Sequence, residues 1–167
     1  ESFSKFVGLL PKNGYLIVNN DDYNAKRVIT HSKSHLITFG ITNESTFQAL
    51  NIKFDHKGNA NFDVLYEGEK LENFYLNIPG RHNIYKALTS RACAYSLGAE
   101  ISVIKDTLKN FKNADRRFEF KGKLNNCSVI EDYAHHPNAI KANITAALNM
   151  DFNDIYVIFQ PHTYSRT

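Results

Sequence analysis

Residues Cys127-Ser-Val-Ile-Glu-Asp-Tyr-Ala-His-His-Pro137 decide the fold. The apolar run Cys127 to Ile130 ends in a dense polar cluster and passes into a helix-like stretch from Asn138. A second apolar run, Ile155 to Phe159, ends in Gln-Pro-His-Thr-Tyr-Ser-Arg-Thr. The pattern predicts a strand at 127–132, a helix at 138–149 and a strand at 155–159, the start of a parallel sheet. Ligands of open α/β sheets bind outside the carboxyl ends of strands. Two polar clusters on successive strand ends therefore predict one shared pocket.

Upstream the periodicity changes several times. Phe3, Phe6, Val7 and Leu10 suggest a first helix, closed by the turn Pro11-Lys-Asn-Gly14. Tyr15 to Val18 reads as a buried strand, followed by the polar loop Asn19-Asn-Asp-Asp22, and Leu36 to Phe39 as another, stopped by Gly40. Residues 46–54, 61–67 and 71–78 alternate, which predicts an antiparallel meander. After Pro79-Gly80 the period turns helical. Ile84, Leu88, Ala92 and Tyr95 share a face and Gly98 is placed to end the helix. A further helix is expected near 101–111 and a strand at 117–122, with Phe118 and Phe120 inward. A domain boundary is expected near Lys121-Gly-Lys123. The second part is short, since two strands and one helix do not cover both faces of a parallel sheet.

The 167 residues are 43% hydrophobic with a net charge of +3, which suits a packed domain and excludes disorder. No basic run is dense enough for a nucleic-acid footprint. There is no 18-residue apolar stretch and no signal-peptide pattern. Cys93 and Cys127 sit in apolar contexts without metal-ligand spacing, which predicts buried thiols in a reducing, cytoplasmic setting. The chain opens inside a helix and closes just after an apolar run, so a piece of a longer protein is expected.

Several residues carry possible chemistry, each beside a plainer alternative. At Gly80-Arg-His-Asn83, Asn83 suits a planar heterocycle and the first-turn N–H groups suit an anion; the alternative is an ordinary helix cap. Arg116 and Arg117 offer forked donors that match phosphate oxygens, or form a solvated pair beside Asp115. Asp132, closing a strand, is placed to accept from ribose hydroxyls or to cap a helix. His135, His136 and His162 in principle make a three-histidine zinc site. Arg166 suits a bidentate clamp on a carboxylate, or belongs to a polar loop. His31 and His35 are read as surface residues. The chain has no G-x-x-x-x-G-K-[ST] phosphate loop: Gly122-Lys123 has Arg117 where the first glycine belongs. A G-x-S-x-G elbow is also absent.

Taken in order, Asn20-Asp-Asp22, Pro79-Gly-Arg-His-Asn83, Arg116-Arg-Phe118, Asp132-Tyr-Ala-His-His-Pro137, Phe159-Gln-Pro-His162 and Tyr164-Ser-Arg-Thr167 resemble the Mur ligases of bacterial cell-wall synthesis, over essentially the whole chain. The resemblance implies an α/β fold. Residues 1–121 match the second half of a central ATP-binding domain with an antiparallel extension. Residues 122–167 match the first β-α-β of a Rossmann-like, amino-acid-binding domain. It implies an ATP- and magnesium-dependent ligase of the alanine-adding type, joining L-alanine to UDP-N-acetylmuramate, with the phosphate loop and most magnesium ligands outside this stretch. The 167 residues alone are expected to be inactive. By the same resemblance His82 and Asn83 hold adenine, Arg117 the terminal phosphate and Asp132 the ribose. Tyr133, His135, His136, His162 and Arg166 line the amino-acid pocket. Arg117, His135 and His136 take catalytic roles, and no residue is a metal ligand. Thr163 stands where many members have arginine, leaving Arg166 as the carboxylate clamp. A tripeptide-recycling ligase shares Ala-His-His-Pro but not Phe159-Gln-Pro-His162. A nucleotide-binding module without catalysis is the remaining alternative.

Overall fold

The computed structural model describes residues 2–161. Its main body is a five-stranded sheet in the order β1 (Tyr15–Asn19), β2 (His35–Gly40), β3 (Phe47–Phe54), β4 (Asn59–Tyr66), β5 (Glu69–Pro79). β1, β2 and β3 run parallel, while β3, β4 and β5 form the antiparallel meander. Glu67 (φ 51°) and Gly68 (φ 86°) make the two-residue turn between β4 and β5. Positive φ at both positions gives the twist that a tight hairpin needs.

Two helices pack on this sheet. α3 (Arg81–Ser96) buries Ile84, Ala87, Leu88 and Ala92 against Phe39, Phe47, Phe62, Phe74 and Leu76, and α4 (Ile101–Asn110) packs on β5. These apolar side chains leave water together, and that transfer is the main stabilising term. Arg91 lies in the same stripe, 1% exposed, its guanidinium over the rings of Phe47 and Tyr95 at 5.5 and 5.3 Å. The short α1 (Ser2–Gly8) and α2 (Tyr23–Val28) flank β1. Sequence periodicity misses α2 because it is only six residues long. Its start is nonetheless written in Asp22, whose carboxylate accepts the N–H groups of Asn24 (2.8 Å) and Ala25 (3.0 Å).

The C-terminal part holds β6 (Glu119–Leu124), β7 (Cys127–Glu131) and α5 (Pro137–Leu148). β6 and β7 pair antiparallel as a two-stranded sheet. So β7 does not open a parallel sheet here, and Ile155–Phe159 forms no strand; Ile158 is 99% exposed. A parallel pair with one helix leaves a face uncovered, and an uncovered apolar ladder gains too little to order. Phe120 likewise points outward at 57% exposure, because β6 has no layer behind it. Both cysteines are exposed: Cys93 lies off the buried stripe of α3 and Cys127 lies on β7. The Lys121-Gly-Lys123 stretch lies inside β6, with a bulge between Phe120 and Gly122. Among the described residues no helix is long and apolar enough to cross a membrane. His31 and His35 are exposed, as expected.

Candidate functional site

The start of α3 meets the C-terminal part. Gly80, φ 100°, precedes the helix, and a side chain there would strike the His82 ring at 2.8 Å and the Ala146 methyl of α5 at 3.1 Å. Gly58 likewise sits against Met150 and Pro79. Glycine at these two positions lets α5 approach the helix start. Asn83 is 1% exposed, and its amide donates to the Pro79 carbonyl (2.6 Å). Its Oδ1 has no hydrogen-bond partner among the described residues. A buried acceptor without a donor is costly, so a ligand N–H would satisfy it.

The loop carrying Arg117 is stapled to the end of β7. Asp132 Oδ2 accepts the Phe118 N–H (2.7 Å) and Oδ1 accepts the Ala134 N–H (2.6 Å). The Tyr133 N–H donates to the Arg116 carbonyl (2.8 Å), and the Arg116 N–H donates to Glu119 Oε2 (2.8 Å). These bonds hold Arg116 (φ 57°) and Phe118 (φ 48°) in the left-handed region, which non-glycine residues rarely adopt. His82 and Lys86, one turn apart on α3, face this loop. Burial, and then the Lys86 charge, push the His82 imidazole below its usual range, while Asp132 pulls it back up. Burial, and then the Arg117 charge, push Lys86 down, again opposed by Asp132. His82 and Lys86 thus lie within electrostatic reach of Asp132, and Lys86 within that of Arg117. The motifs did not single out Lys86, although its i+4 spacing from His82 places it on the same helix face.

The residues after Asp132 lead into α5. Tyr133 is exposed and packs edge-on to His135 at 5.3 Å. His136 is the N-cap of α5: its Nδ1 accepts the Asn138 N–H at 3.3 Å, and Pro137 takes the first helical position. The cap of α5 is thus His136 rather than Asp132. His135 Nδ1 contacts the Tyr133 carbonyl at 3.1 Å. An open groove of about 470 Å³ runs from His135 along Ile140, Lys141 and Ile144 to Phe159. His162 and Arg166, expected in the same pocket, lie outside the described residues. Among the described residues no three His, Cys, Asp or Glu side chains are grouped to hold a metal ion.

A second polar cluster sits at the carboxyl ends of β1 and β2. Asp21 accepts the N–H groups of Ile41 (2.6 Å), Thr42 (3.1 Å) and Asn43 (2.8 Å), the Asn43 amide (2.9 Å) and the Tyr85 hydroxyl (2.9 Å). Burial opposes its charge, but these donors outweigh it and hold the carboxyl far below the usual range.

The family profile described as the Mur ligase middle domain matches residues 1–94. A UDP-N-acetylmuramate–L-alanine ligase of Clostridium acetobutylicum is 49% identical over 166 residues, spanning 99% of this chain and 36% of the relative. One of Caldanaerobacter subterraneus subsp. tengcongensis is 45% identical over 167 residues, spanning 100% and 36%. The chain thus spans about a third of the curated relatives it matches. Among solved structures, a crystal structure of MurF from Acinetobacter baumannii superposes with a TM-score of 0.78 at 23% identity, over 89% of this chain and 32% of that one. The UDP-N-acetylmuramate-alanine ligase MurC from Thermotoga maritima gives 0.64 at 26% identity, over 74% and 28%.

Proposed function

Because the chain belongs to the Mur ligase family, we propose that it is the central part of an ATP-dependent ligase joining L-alanine to the carboxylate of UDP-N-acetylmuramate, a step of peptidoglycan precursor synthesis. Similarity to relatives of that name supports the choice of substrates. The observation that carries the ATP site is the buried, unpartnered Oδ1 of Asn83 at the start of α3, on a helix whose His82 and Lys86 feel the charges of Asp132 and, for Lys86, Arg117. In this reading residues 1–121 belong to the central domain and 122–167 to the amino-acid domain. The enzyme works in the cytoplasm, where ATP and the UDP-sugar are found.

Adenine presents an exocyclic N–H that matches Asn83 Oδ1, with His82 beside it. Asp132 turns its remaining acceptor capacity to the ribose. Arg117 offsets the charge of the terminal phosphate. Magnesium, which accompanies ATP in such enzymes, would screen its phosphates; the described residues group no ligands for it. A carboxylate oxygen of UDP-N-acetylmuramate attacks the γ-phosphorus, the bond to ADP breaks, and an acyl phosphate forms. The L-alanine amine attacks the acyl carbon. The carbon–oxygen bond of the tetrahedral intermediate breaks, and phosphate leaves with the former carboxylate oxygen. Keeping acid and amine together, away from water, is the contribution of the two-domain arrangement.

The two histidines divide the amine chemistry. A carbonyl only accepts, so His135 Nδ1 donates to Tyr133 and that bond orients the ring. An imidazole on the amino-acid side suits removal of the ammonium proton. A backbone N–H only donates, so neutral His136 carries its proton on Nε2 and suits donation to the substrate carboxylate. Tyr133, His162 and Arg166 complete the amino-acid side, with Arg166 on the carboxylate. The test is isotopic. With the UDP-N-acetylmuramate carboxylate labelled with oxygen-18, the released phosphate carries one label per turnover. Unlabelled phosphate would exclude the acyl-phosphate route.

A further inference from the structure

We propose that Asp21 and Tyr85 form a brace that fixes the rotation of α3 on the sheet and so positions His82, Asn83 and Lys86 for the nucleotide. The proposal rests on the ATP reading above. Asp21 follows β1 and lies 64 residues from Tyr85, yet its Oδ2 accepts the Tyr85 hydroxyl at 2.9 Å. Its two oxygens are at the same time fixed by three successive backbone N–H groups after β2, those of Ile41, Thr42 and Asn43. The acceptor is therefore anchored to the parallel strand ends and does not move with the helix. Gly40 keeps this contact close, since a side chain there would meet Ser45 Oγ at 2.7 Å and Asp21 Oδ1 at 3.2 Å.

The donor sits where rotation matters. Tyr85 lies within three residues of His82, Asn83 and Lys86 on α3. The start of that helix has no side-chain cap, and apart from Asn83 and Arg91 the buried stripe beneath it is apolar, which resists separation from the sheet more than rolling across it. A directional bond from Tyr85 to a fixed carboxylate adds an angular restraint to that of the Asn83 bond to Pro79, with its acceptor on the parallel strand ends. Burial and then the Asp21 bond push the Tyr85 hydroxyl up to about 12, opposed by Arg81, so it remains a donor at neutral pH. Asp21 and Tyr85 are positioning residues in this account, since neither is assigned a contact with the nucleotide.

The test uses the full-length ligase with Tyr85→Phe and Asp21→Asn, and measures equilibrium ATP binding, KM for each substrate and thermal unfolding. Tyr85→Phe keeps the ring and loses one hydroxyl. It is expected to raise the ATP Kd and KM about five- to tenfold, with KM for L-alanine and UDP-N-acetylmuramate within about twofold of wild type. The double variant is expected to be no worse than the weaker single one, because both remove the same bond. Unchanged ATP affinity in folded Tyr85→Phe would overturn the brace while leaving the ATP reading intact. Failure of the wild-type ligase to bind ATP would overturn the ATP reading, and the brace with it. Should Asp21→Asn fail to fold, Tyr85→Phe alone decides.

Discussion

Asp132 holds the fold with one carboxylate and keeps acceptor positions for the proposed site. An ionised carboxylate has about four acceptor positions. Phe118 and Ala134 each occupy one oxygen once, leaving room for ribose hydroxyls. Its place at a strand end was legible from the apolar run before it. Its hold on the Arg117 loop was not, because that bond spans 14 residues and depends on left-handed backbone at Arg116 and Phe118. Asp63 on β4 is a structural counterpart. It accepts from Asn51 (2.9 Å) and Asn73 (3.0 Å) and pairs with Lys70 (3.0 Å). These donors push its carboxyl down from 3.8 to about 2. A depressed folded-state value stabilises the fold above the unfolded value and loses that effect as pH falls through the folded one. Stability is therefore expected to decline between pH 4 and pH 2, with a shallower decline in Asp63→Asn. Equal slopes in urea titrations across that range would remove Asp63 from the account.

At the scale of elements, alternation and helical period carried most of the fold. β3, β4, β5, α3 and α4 lie within two residues of where the patterns placed them, because each buries one face against a shared core. The failures share a cause. Ile155–Phe159 and Phe120 have apolar patterns that predict burial, but no layer covers them. Apolarity marks a tendency to be covered, and only a packed neighbour covers it. The junction of α3 with α5 was half legible: Pro79-Gly80 announced a helix start, but not that Ala146 of α5 would rest against the glycine. Gly80→Ala is expected to destabilise the protein by about 2 kcal/mol or more, since φ 100° is unfavourable for alanine and its methyl would meet His82 and Ala146. The same change is expected to weaken ATP binding through His82. A urea midpoint equal to wild type would show that α5 does not press on this turn.

For the whole molecule, the few residues after β7 tie the C-terminal part together: Asp132 accepts from the loop that carries Arg117, and Tyr133 packs on His135 ahead of α5. In the proposed function these residues join the nucleotide and amino-acid sides. The motifs that carry them were legible in the sequence, because each closes a strand or opens a helix. Lys86 and the Asp21–Tyr85 contact were hidden, since they arise from packing between segments distant in sequence. The most direct test of the central claim is phosphate release by the complete protein containing this chain, with ATP, magnesium and UDP-N-acetylmuramate, across a panel of amino acids and the recycling tripeptide. Release that depends on L-alanine is the expected result, with none from residues 1–167 alone, which contain no phosphate loop. Release only with the tripeptide, or none with any acceptor, would contradict it.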